Sequence, residues 1–422
     1  MEEEKKISKR RKLNMKLYPS YKMLANDVLF FNAIKVLFLT GVKGLSNANV
    51  VFMETIYAFF KLLLQIPMTV VVSKLGIRKS VILGNIFWIL EVVLILFSKN
   101  YSMIIIAQLL SAIGWSCKSV AEEPLLNKSI PEGKLKGKIF SKIDSKGYSR
   151  HCYIGAITTV LSGFLYEVNP YIPVVLTIVF MIFALIISFN FTDIKDEKVK
   201  TVSESINDVK DGFVFIFKSP RLKSLLLMLG FMWGFICLFG TYGTTLLKDI
   251  NVSAKYIGII LATLDIIQGI SSTTAIKFNK KHNNNSLTYI SLRMTIGIAI
   301  AGGVVVCGLY RIPQLAIIIF TYILRCYDKG IFQIIKKRYM GNFMTPEILP
   351  KIYSVHSIIA SVFRLLVGGL GSYLLTIMTI EYAMVTLGIL FSFIALLFSL
   401  YMKPRIGLKP EEYTKKDVVC VE

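Results

Sequence analysis

The sequence predicts an all-α membrane protein of twelve transmembrane helices, arranged as two halves of six. Three observations predict it. Hydrophobic residues make up 54% of the 422-residue chain and its mean hydropathy is +0.62, whereas soluble domains run at about 45–50% apolar. Apolar runs of about 20 residues, the length that crosses about 30 Å of hydrocarbon, recur from one end to the other. Basic residues alternate with those runs: 36 Lys and Arg fall in one set of flanking segments, and only Lys43, Lys99, Lys248, Lys255 and Arg311 in the other. Basic residues in short loops stay in the cytoplasm, so this alternation puts both termini inside and demands an even number of spans. The net charge of +23 then follows topology and an anionic inner leaflet, without nucleic acid as a partner.

Taken in order, residues 1–19 read as a solvated cytoplasmic tail, charged and lacking the apolar core and cleavage site of a secretory signal. Spans one to six are expected at 20–41, 48–72, 80–98, 102–122, 148–168 and 172–191. Across residues 192–221, Asp193, Lys195, Asp196, Glu197, Lys198 and Lys200 break the apolar rhythm. Residues 202–217 then carry an amphipathic helical pattern, and the whole segment reads as a cytoplasmic linker. Spans seven to twelve are expected at 222–247, 254–278, 287–309, 314–334, 352–377 and 381–402, with 403–422 as a second tail and the asparagine run at 283–285 as a flexible turn. An internal echo supports division at the linker. Lys138-Ile139-Phe140-Ser141, ahead of span five, returns 213 residues later as Lys351-Ile352-Tyr353-Ser354, ahead of span eleven. Pro67 is expected to kink span two. Gly230 and Gly234 in span seven have the spacing that lets two membrane helices approach closely.

The junction of spans two and three reads Gln65-Ile66-Pro67, then Ser73-Lys74-Leu75-Gly76-Ile77-Arg78-Lys79. It resembles the loop that the major facilitator superfamily writes as Gly-x-Leu-Ala-Asp-Arg-x-Gly-Arg-Lys after Glu-Ile-Pro. Gly76, Arg78 and Lys79 fit, while Gln65, Thr69 and Ser73 replace the glutamate, the first glycine and the aspartate. The run Lys118-Ser119-Val120-Ala121-Glu122-Glu123-Pro124-Leu125-Leu126 resembles a Lys-Ser-Gly-Ala-x-Glu-Ala-Leu-Leu segment of bacterial members. This resemblance implies two six-helix bundles and secondary transport of a small molecule across the cell membrane by alternating access around a midplane site. It further implies export, protons as coupling ion, no cofactor and a monomer. It makes Ser73, Gly76, Arg78, Lys79, Lys118 and Glu122 a cytoplasmic charge cluster that closes an inner gate, with a solvated helix end as the other reading of Lys118 and Glu122. Two family signatures are missing: Leu110 stands where span four is expected to carry arginine, and span five lacks a Gly-Pro pair. Import, a proton-independent facilitator on the same fold, and a membrane enzyme or scaffold stay open as alternatives.

No catalytic or metal site is predicted. Nucleotide-binding Gly-x-x-x-x-Gly-Lys and zinc-binding His-Glu-x-x-His are absent from the sequence. The six cysteines have neither metal nor disulfide spacing and read as small buried side chains. Ionisable residues at membrane depth are left, each costing about 2.5–3.5 kcal/mol at a helix centre. Lys35, Lys61, Glu91, Asp265, Arg325, Asp328, Lys329 and Arg364 fall mid-span, while Asp27, Glu54, Arg150 and Arg293 lie nearer an interface. Arg325 precedes Asp328 by one turn, so these two are expected to pair within the helix. Because the family lines its cavity with helices one, four, seven and ten, the resemblance makes Tyr322, Arg325, Asp328 and Lys329 pathway candidates, with plain packing as the alternative. Asp265 has no base within four positions. An unpartnered carboxylate there suits a proton carrier; a salt bridge to Arg364 or Lys35 is the competing reading. The mid-span charges, five basic and three acidic, tilt toward an anionic or zwitterionic substrate.

Overall fold

The computed structural model describes residues 2–131, 136–192, 202–282, 285–342 and 349–406. Among them are fourteen α-helices and no strands. The first six spans are built from α1 (Glu2–Ala25), α2 (Leu29–Leu37), α3 (Asn47–Leu75), α4 (Ile77–Phe97), α5 (Tyr101–Ser129), α6 (Lys136–Val168) and α7 (Ile172–Phe189). After α8 (Val202–Lys218) come α9 (Pro220–Asp249), α10 (Ala254–His282), α11 (Ser286–Val306), α12 (Arg311–Asn342), α13 (Leu349–Ile377) and α14 (Ile380–Ile406). Ten helical stretches among the described residues are long and apolar enough to cross a membrane. α6 and α12 bring the number to twelve; at 33 and 32 residues they are long enough, but charges such as Arg150 in one and Arg325, Asp328 and Lys329 in the other thin out their apolar runs. Lys138 and Lys351, the paired starts of the internal echo, are each the third residue of their helices, α6 and α13. The charged cluster at 193–200, the asparagines at 283 and 284, and the tail beyond Ile406 lie outside the described residues.

Two expectations at the amino terminus need correction. The head is not wholly solvated: Lys9, Arg10, Lys12 and Lys16 are exposed, but α1 begins at Glu2 and buries Asn14 and Tyr18, each at 1% exposure. The Asn14 amide forms a two-way bridge to Thr192, accepting from its N–H at 2.8 Å and donating to its carbonyl at 3.0 Å, and also donates to Ser129 Oγ at 3.1 Å. A buried amide so fully paired contributes to stability, where a solvated one would not. Span one is also discontinuous. α1 stops at Ala25, residues 26–28 are non-helical, and α2 resumes at Leu29 before closing in a π-helical turn, Phe38–Val42. Asp27 causes the interruption locally, since its carboxylate accepts from Val28 N–H at 2.7 Å and from the Asn32 amide at 2.9 Å, competing with the helical ladder.

The chain folds as two compact units: Met1–Leu45, Ile56–Ser205 and Ser253–Ala262 form the first, and Ser46–Thr55, Ile206–Val252 and Thr263–Glu422 the second. In the first unit the core gathers Tyr21, Leu24, Phe30, Val81, Leu125 and Phe191 from α1, α2, α4, α5 and the end of α7. In the second, α9 presents Phe231, Phe235 and Phe239 on one face at helical spacing. These rings meet Phe391 of α14 at 5.8, 5.9 and 6.4 Å, edge to face. Gly230 and Gly234 do bring α9 against α13, for a β carbon on Gly234 would lie 2.8 Å from the Phe363 carbonyl oxygen. The cysteines are only partly as expected: Cys117 and Cys326 are buried, but Cys152 and Cys307 are exposed.

Candidate functional site

In the first unit, α4 and α5 come together through Gly84 and Gly114. A β carbon on Gly84 would stand 2.9 Å from the Gly114 carbonyl and 2.6 Å from Cγ of Lys118. That clearance lets the Lys118 stem cross α4 and bring its ammonium under the Trp88 indole, 3.6 Å from the ring centroid and only 3% exposed. Lys118 Nζ donates to the Ala25 carbonyl, at the end of α1, and lies 3.6 Å from Glu122. Glu122 in turn accepts from Tyr21 Oη at 2.6 Å, and the Asn85 amide donates to the same hydroxyl at 3.1 Å. Lys118 and Glu122 are therefore no solvated helix end. Neighbouring helices also bond the backbone on either side of the interruption: His151 Nδ1 meets the Met23 carbonyl at 3.2 Å, Phe31 N–H donates to Thr177 Oγ1 at 3.0 Å, and Ser162 Oγ donates to the Phe30 carbonyl at 2.8 Å.

The expected charge cluster is divided. Gly76 caps α4 with φ of 88°, a conformation costly for any residue with a β carbon. Arg78 turns away from Glu122 and donates to the Phe189 carbonyl at 2.7 Å, capping the carboxyl end of α7. Lys79 is exposed, and Ser73 donates back to the Val70 carbonyl at 2.8 Å.

In the second unit, Asp328 is 1% exposed and is held by Arg293 of α11 through two parallel bonds, one from Nε at 3.1 Å and one from Nη2. This replaces the expected intrahelical pair with Arg325. The guanidinium of Arg325 instead lies 5.9 Å from the Tyr322 ring, and its buried Nε has no hydrogen-bond partner among the described residues. Tyr322 donates to the Gly243 carbonyl at 3.1 Å, and Lys329 is half-buried. Arg364 pairs with Glu54 at 2.8 Å, and the two line a small open pocket with Val51, Thr55, Cys237 and Thr241. Asp265 is exposed and has an interaction partner, so the solitary carboxylate is not found; Lys35, half-buried on α2, is partnered too. Lys61 lies over the Trp115 ring at 3.4 Å.

The two units repeat this layout with opposite charge. Lys118 is the eighteenth residue of α5 and Asp328 the eighteenth of α12; the helix crossed carries Gly84 as the eighth residue of α4 and Arg293 as the eighth of α11. A sequence model of the Major Facilitator Superfamily matches residues 23–327. The chain belongs to that superfamily. Like other superfamily members, it is a multi-pass membrane protein. It is 24% identical over 282 residues to YxaM of Bacillus subtilis (strain 168), described as an uncharacterized MFS-type transporter, covering 64% of this chain and 68% of that one. The nucleoside transporter NupG superposes with a TM-score of 0.70 at 9% identity, over 95% of this chain and all of that one. A D-xylose-proton symporter superposes with a TM-score of 0.63 at 11% identity, over 94% and 98%. At such identities these structures share the superfamily fold alone. Sequence reasoning missed Arg293 and Glu54 as partners, although Arg293 is the single charged residue between 287 and 309 and so demanded a carboxylate nearby.

Proposed function

We propose that this superfamily member is a secondary transporter that exports a small molecule across the cell membrane by alternating access, driven by protons. Carrying the reading are three ion pairs that each set at least one charge within a span: Lys118 with Glu122, Arg293 with Asp328, and Arg364 with Glu54. Pairs away from water stabilise little compared with apolar residues of the same size, and charges in spans are expensive, so their presence points to a role in the transport cycle. Exchange of partners fills that role, because a proton on the carboxylate, or an approaching solute, releases the base. Arg325, with an unsatisfied Nε, is positioned to meet an acceptor on the solute, and Lys35, Asp265, Tyr322 and Lys329 complete the pathway. Export follows the likeness of residues 118–126 to the bacterial segment. The neighbour named a D-xylose-proton symporter favours a second reading, uptake of a small polar solute together with a proton.

Purified protein in proteoliposomes, assayed with a panel of pentoses, nucleosides, short peptides and hydrophobic cations, tests both. Efflux of a loaded solute that speeds up when the outside is acidified supports export. Accumulation under the same gradient decides for uptake, and movement insensitive to an uncoupler removes the proton. If no solute moves at all, the transporter reading fails.

A further inference from the structure

A continuous helix would cross the membrane as well as a broken one, yet span one is interrupted, and a cation stands at the interruption. The last carbonyls of α1 have no helical partner, and the carboxyl end of a helix carries roughly half a negative charge. Lys118 Nζ reaches this point, donating to the Ala25 carbonyl. Its charged and titratable neighbours are Glu122 at 3.6 Å, the Tyr21 hydroxyl bonded to Glu122, and Asp27, whose charge also acts on it. From α4 come neutral groups only, Asn85 and the face of Trp88. Freed carbonyls at a helix interruption, a carboxylate and an aromatic face make the donor set with which discontinuous membrane helices hold monovalent cations.

We propose that the interruption of span one is a monovalent-cation site whose resident cation is the ammonium of Lys118. The site stands on its geometry; its part in coupling rests on the proton-driven transport proposed above. A tethered cation cannot leave, but its proton can. Transfer from Nζ to Oε1 of Glu122 turns the ion pair into a neutral amine and a neutral carboxylic acid, and loosens the hold on Ala25.

Sodium and choline serve as probes, at equal chloride, on purified full-length protein in lipid nanodiscs. Wild-type protein, with its site already filled, melts alike in both. Lys118→Asn and Lys118→Gln vacate the site, melt lower in choline, and regain roughly 3 °C or more in sodium; adding Glu122→Gln to Lys118→Asn removes the gain. Neutral variants that melt alike in the two salts overturn the proposal. So do neutral variants that fail to fold in sodium, whether or not Lys118→Arg folds, because sodium then cannot replace the tethered charge. None of these readings depends on solute flux, so a protein that moves no solute yet answers to sodium keeps the site and loses only the transport role.

Discussion

Asp328 and its partner differ sharply in surroundings: the carboxylate side chain is 1% exposed, while that of Arg293 is 41% exposed. Arg293→Met strands a buried charge, which costs about 3–5 kcal/mol in general, and water entering at the vacated arginine puts this case at the low end. The double variant Arg293→Met/Asp328→Leu removes both charges and recovers most of the loss, a non-additivity readable from melting temperatures of the purified variants. A loss in the double variant equal to the sum of the losses in Arg293→Met and Asp328→Leu would deny the pair any energetic link. The pairing was only half legible in the sequence. Arg325 and Asp328, three apart, share a side of α12, but spacing does not say which neighbouring helix that side faces. Once α11 lies alongside, the guanidinium of Arg293 can offer two parallel bonds, a stronger arrangement than a pair along one helix. Lys118 illustrates the same limit, because its burial depends on Gly84 lying one helix away.

Among the elements, α9 and α13 pack closely because glycine permits it. Gly234→Val forces a side chain against the Phe363 backbone, which cannot yield as a side chain tip would, and overpacking of this kind costs about 1–3 kcal/mol. Gly240, on the same helix, faces open space, so Gly240→Ala leaves the melting temperature unchanged or higher. A loss at Gly240 as large as at Gly234 would mean that backbone flexibility, not packing, is what the glycines supply. Helix positions were largely readable, since apolar runs of membrane length have few other uses. The interruption of span one was not. Asn26 and Asp27 are ordinary near a span end, and the groups that bond the backbone on either side of the gap, Lys118, His151, Ser162 and Thr177, come from other helices.

At the scale of the whole molecule, hydropathy and the alternation of basic residues were enough to reach the class, and a TM-score of 0.70 at 9% identity shows how little of this fold depends on particular residues. The same alternation yields a topology that labelling can check. In protein whose other cysteines are replaced by serine, Cys307, exposed at the end of α11, reacts with a membrane-impermeant maleimide in intact cells. Lys280→Cys, on the basic end of α10, reacts only after permeabilisation; the opposite pattern would invert the orientation of every span. The bridge from Asn14 to Thr192 has a consequence in time. A ribosome releases the amino terminus first, so Asn14 is made 178 residues ahead of the backbone groups it grips. The opening helix must therefore wait, its amide unanswered by Thr192, until the sixth span has been translated, and α1 gains this fastening only from the residue at which the linker begins.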